Sequence, residues 1–174
     1  MERGIDFLKS QVNNAVMQHD TFLTSLRDHA DQAEDHRFRD LCAKYVPIMQ
    51  QHQRMLEDYQ KELGAEAGAV KKAVGKVMGV AKDLADSARE SDFLRLVGDI
   101  VMARQSEDTF KTFREGGKLL GNQRLQDIGD LGERHHDDYV KEANRLAQQM
   151  FVEHVRGTDA AEGVTATYEP RPAI

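Results

Sequence analysis

From about Ile5 to Arg156 the apolar residues of this chain return at spacings of three and four, and no run alternates with the period of two that marks a half-buried β-strand. Such a chain can bury its apolar side chains only as helices packed on helices, because a stripe of period 3.6 lines one side of a helix but is scattered over both faces of a strand. Only three of the 174 residues are proline, and two of these follow Tyr168, so little interrupts long helices. The length suits one domain with one continuous core. The fold class expected is all-α.

The elements follow from the same spacing. A first helix, about Ile5 to Asp31, sets Leu8, Val12, Ala15, His19, Phe22 and Leu26 on one line. A second, about Arg37 to Leu63, does so with Leu41, Tyr45, Ile48, His52, Met55 and Tyr59; Pro47 predicts a kink or a later start, and Gly64 a stop. The Ala- and Gly-rich stretch 65–90 carries Val70, Val74, Val77, Ala81 and Leu84, which predicts a crossover helix at about 66–88, long enough to climb the height of a bundle. Ser91 is the expected N-cap of a third helix, with Phe93, Leu96, Ile100, Ala103, Glu107 and Phe110 facing inward until Gly116 and Gly117 loosen it. After a tight turn at Gly121 and Asn122, a fourth helix runs from Gln123 to about Arg156 through Leu125, Ile128, Gly132, His135, Tyr139, Ala143, Leu146 and Met150. Residues 1–156 are thus read as one bundle. Residues 157–174 have no period and are expected to form a mobile or extended tail.

Each of the four long lines is interrupted near its middle by a polar residue able to bind metal. The interruption is densest in GERHHDDY, residues 132 to 139. Counting back from the turn at 121–122 puts Glu107 level with His135 or His136, within about one helical rise of ~1.5 Å, and a similar count puts His19 or Asp20 within a turn of His52. An isolated charge in such a layer costs several kcal/mol unless it is paired, protonated or bound to metal. Glu133 and His136 stand in the order Glu-x-x-His, which aims a carboxylate and an imidazole at one point. His135 lies closer to the core line, so a fraction of a turn decides which histidine faces inward. The competing reading is a hydrogen-bonded layer without chemistry, in which His52 is a satisfied core histidine and His19 with Tyr45 or Tyr59 fixes helix register. His29, His36 and His154 lie away from this layer and read as surface residues. Cys42 reads as an inert buried thiol, since no histidine sits beside it in its helix.

On these residues the chain resembles the ferritin-like superfamily, over about residues 5 to 156. The resemblance implies an antiparallel four-helix bundle of two hairpins, joined by the helical crossover between helices two and three. It also implies a metal site with one carboxylate from each of two helices and Glu-x-x-His from each of the other two. Matched residue by residue, the ligands are Asp20, His52, Glu107, Glu133 and His136, with His19 and His135 as alternates. Three residues before His52 stands Met49, where the family pattern has Glu. The implied site is therefore a reduced one: one or two ions of iron or manganese, zinc as a further choice, or no metal at all. The furthest activity implied is ferroxidase- or peroxidase-like, in an iron- or stress-related role. The alternative is a metal-free structural or interaction bundle.

Other classes find little support. The net charge of −6 comes with no basic stripe, which argues against nucleic acid or an anionic membrane as partner. No run of about 18 apolar residues is present to span a bilayer. A single Cys42 and the polar start MERGIDFLKS lead to the expectation of a cytoplasmic protein. No serine elbow, Gly-rich phosphate loop or Cys-x-x-Cys pair occurs. Self-association is expected to favour a homodimer over a cage.

Overall fold

The computed structural model describes residues 3–65 and 91–157. The described residues form four α-helices and no strand: α1 (Ile5–Gln32), α2 (His36–Glu62), α3 (Asp92–Leu120) and α4 (Gln123–Arg156). The crossover expected at about 66–88 and the tail beyond Gly157 lie outside the described residues. None of the described helices is long and apolar enough to cross a membrane.

Short polar caps set the helix ends. The Asp35 carboxylate accepts the Arg37 N–H at 2.8 Å, while the Asp35 N–H donates to Asp92 Oδ2 at 2.6 Å, so the link between α1 and α2 is tied to the start of α3. Its bonds to Arg37 hold the Asp35 carboxyl down at about 2. Ser91 caps α3 through the Leu94 N–H, as expected, and Asn122 caps α4 through the Leu125 N–H. Gly121, at φ 65°, closes α3 in the left-handed conformation.

The breakers interrupt less than their positions imply. α2 starts at His36 and runs through Pro47, so the later start expected there does not occur. Proline removes the donor that would reach the Ala43 carbonyl, but both residues are exposed, so water can serve that oxygen instead. α3 likewise continues through Gly116 and Gly117 to Leu120. At Gly117 the reason is close approach: a Cβ there would lie 2.8 Å from Gln126 Cα and 2.9 Å from the Asn122 carbonyl oxygen. The glycine serves contact between α3 and α4 rather than a break in α3.

α3 packs most extensively on α4 and α1 on α2, and α2 against α4 with α1 against α3 closes the ring. The core falls into two apolar clusters. One joins Phe22 and Leu26 of α1, Cys42 and Met49 of α2, Leu96 and Ala103 of α3, and Tyr139 and Ala143 of α4. The other joins Val12 and Ala15, Leu56 and Tyr59, Phe110 and Phe113, and Leu125 and Ile128. On every helix the residues between the two clusters include the polar interruption, so the division of the core and the polar layer are one feature.

Candidate functional site

Three histidines from three helices meet in that layer. His19 of α1, His52 of α2 and His136 of α4 are all buried, with ring centroids 5.2 Å apart for 19 and 136, 5.7 Å for 52 and 136, and 6.1 Å for 19 and 52. α3 brings Phe110, whose ring lies 5.0 Å from His136 and 5.7 Å from each of the other two. Gly132 makes room for it: a Cβ there would lie 2.6 Å from Phe110 Cε1. The first residue of GERHHDDY thus lets α3 seat an aromatic ring against the histidines.

Each imidazole has one nitrogen engaged and one without a protein partner. His136 Nδ1 donates to the Gly132 carbonyl at 2.7 Å. His19 Nδ1 donates to Gln53 Oε1 at 2.9 Å, and the Gln53 amide is turned that way because its NH2 donates to Glu57. His52 Nε2 shares a hydrogen with His135 Nδ1 at 2.9 Å. His19 Nε2, His52 Nδ1 and His136 Nε2 are buried and unpartnered. The bonds on His19 and His136 put the proton of each neutral ring on Nδ1 and leave Nε2 a lone pair; His52 offers Nδ1 in the same way when its proton sits on Nε2.

Electrostatics keeps these rings neutral. Burial holds His19 down at about 4, with the Gln53 bond opposing. Burial, reinforced by His19 and His135, holds His52 down at about 3. His136 is driven well below the usual histidine range by burial and by His19. Neutral imidazole is the ligating form, and a hydrogen bond on the far nitrogen is how proteins orient metal-bound histidine.

Of the residues singled out in the sequence, His52, His136 and the alternate His19 come together, and His135 stands beside His52. Asp20 is exposed, because α1 turns His19 inward instead. Glu107 is half-buried and paired with Arg104 at 2.9 Å. Glu133, also half-buried, pairs with Arg114 across the contact of α3 and α4. On α3 Leu96, Ala103 and Phe110 face inward as expected, but Asp99 and Ser106 take the places expected of Ile100 and Glu107 between them. The buried face of α3 runs Leu96, Asp99, Ala103, Ser106, Phe110, Phe113 and Gly117. Ser106, next to Glu107 and one turn before Phe110, is buried with an unpartnered Oγ.

Three residues are corrected or newly found. His29 is not a surface residue: it is half-buried and donates from Nδ1 to Asp99 Oδ2 at 2.8 Å. Its place follows from extending the α1 stripe Phe22, Leu26 by three more residues. Asp99 is fully buried and has a readable signal too, the spacing of three and four through Leu96 and Ala103. Cys42 has no histidine beside it along α2, yet His29 reaches it from α1.

No family model, curated protein or solved structure matches this chain.

Proposed function

We propose that the protein is a ferritin-like bundle of two antiparallel hairpins whose reduced central site holds one divalent transition-metal ion on His19, His52 and His136. The observation that carries this reading is the set of three buried imidazole nitrogens without a protein partner, each on a ring anchored through its other nitrogen. A buried polar group left unmatched costs roughly 1–3 kcal/mol, and three in one layer call for a shared partner. The donor chemistry narrows the ion: neutral imidazoles suit zinc, ferrous iron or copper better than manganese, which prefers carboxylates. The ring spacing supports it as well. With a metal–nitrogen bond of about 2.0–2.1 Å, imidazole centroids around one ion stand roughly 5–6 Å apart. The ligand atoms of these three rings are not all within 4.8 Å of one another, so binding includes a turn of the rings.

The test is metal content of full-length, chelator-stripped protein reloaded anaerobically with ferrous iron or with zinc. His136→Phe removes a ligand and keeps a ring of similar volume. It is expected to keep wild-type helicity and lose one ion per chain; an unchanged stoichiometry would take α4 out of the site.

The Phe110 ring against all three histidines favours a second reading, a metal-free layer that only fixes how the helices pack. There, His52→Leu is expected to be neutral or stabilising in the presence or absence of metal. On the metal reading, added zinc raises the Tm of the wild type by linkage and leaves His52→Leu much less changed.

A further inference from the structure

About ten residues along α1 from His19, a rise of ~15 Å, a second cluster joins three helices. Asp99 of α3 is fully buried. Its Oδ1 accepts from Ser25 Oγ at 2.7 Å and its Oδ2 from His29 Nδ1 at 2.8 Å. Cys42 of α2 is also fully buried and completes the group: one ligand atom each of His29, Cys42 and Asp99 lies within 4.8 Å of the others. It is the trio among the described residues that meets this distance. The His29 side chain retains 16% of its exposure, so the cluster reaches solvent along one edge, and the Phe38 ring packs on it with centroids 5.1 Å apart.

We propose that His29, Cys42 and Asp99 form a second metal site, separate from the central histidine layer, for a zinc-class divalent ion. Burial disfavours ionisation of a carboxyl and of a thiol alike, and a cation bound between them offsets that cost for both. A divalent ion resolves this. Cys42 releases its proton on binding, and thiolate, carboxylate and neutral imidazole then balance the ion's charge. Sulfur together with nitrogen selects zinc or cobalt(II) over calcium and magnesium, which take oxygen ligands. Bonds of about 2.0–2.3 Å in a tetrahedral arrangement place donors roughly 3.3–3.8 Å apart, so the trio closes by small side-chain rotations. In closing, His29 gives up its bond to Asp99. Ser25 stays on Oδ1 and keeps the carboxylate aimed, the outer-shell role common to such sites. Three protein ligands leave a fourth position for water on the edge where His29 meets solvent.

Cobalt(II) is the probe, because a thiolate ligand gives it a near-ultraviolet charge-transfer band that histidine and carboxylate do not. Reduced, chelator-stripped full-length protein is titrated with cobalt(II). The expected result is a band saturating at one equivalent, absent in Cys42→Ala, kept in His136→Phe, and weakened at least tenfold in affinity in His29→Gln. His29→Gln alters a side chain at the solvent edge of the cluster, and its far-ultraviolet circular dichroism should match the wild type. No thiolate band in the wild-type protein would overturn the site, as would a band that survives Cys42→Ala or an affinity unchanged in His29→Gln.

Discussion

Gly129→Ala is expected to destabilise the protein by about 3 kcal/mol or more, a drop in Tm of roughly 6–12 °C for a chain of this size. A Cβ on Gly129 would meet the Arg114 backbone nitrogen and lie 2.6 Å from the Phe110 carbonyl oxygen and 2.7 Å from Arg114 Cα. These are backbone atoms of α3, which cannot swing aside as a side-chain tip can, so the extra methyl has to push α3 and α4 apart along their largest contact. Gly116→Ala is the control. It lies in the same helix pair, but a Cβ there meets nothing within 4 Å, so replacing a helical glycine should raise stability by about 0.5–1 kcal/mol. Thermal melts of both variants followed at the helical signal decide it. Equal melting temperatures would mean that the close approach at Gly129 is not what positions the two helices.

The second large effect is acid lability of the metal-free protein between about pH 6.5 and 4. In the unfolded chain each histidine takes a proton near its ordinary value of 6.5, whereas His19 in the fold waits until about 4 and His52 until about 3, with His136 also well depressed. In that window the unfolded state binds more protons, so stability falls as pH falls, by about 1.4 kcal/mol per pH unit for each histidine. Asp99 acts in the opposite sense: burial pushes its carboxyl up, so between the ordinary carboxylate value and the raised one the fold holds a proton that the unfolded chain lacks. Two to three net protons remain, or roughly 3–4 kcal/mol per pH unit and at most about 7–10 kcal/mol across the window, comparable with an ordinary margin of about 5–15 kcal/mol. Urea unfolding at a series of pH values measures the slope. His52→Leu should make it shallower by about one proton, and a flat profile from pH 6.5 to 4.5 would mean that the imidazoles accept protons inside the fold.

The helices themselves were legible because their signals are local. Ser91, Asn122 and Gly121 stop and start helices through groups within a few residues, and the stripes of α1 and α4 reach the core much as their spacing implies. Within the polar layer, the choice between adjacent residues has one physical origin. Neighbouring residues on a helix point about 100° apart, so a small rotation of the whole helix exchanges one for the next. That is why His19 rather than Asp20, Ser106 rather than Glu107, and His136 more than His135 are buried.

The period of apolar residues thus determined an all-α chain of long helices with a polar interruption in the middle of each, since burying a stripe depends only on spacing along one helix. Tertiary structure alone decided which member of each adjacent pair meets its counterparts, because rotation is set across the interfaces: by Gly132 admitting the Phe110 ring, by Gly117 and Gly129 letting α3 and α4 touch, and by Ser25 and His29 receiving Asp99. Cys42, His29 and Asp99 are far apart in sequence and become neighbours only when three helices pack.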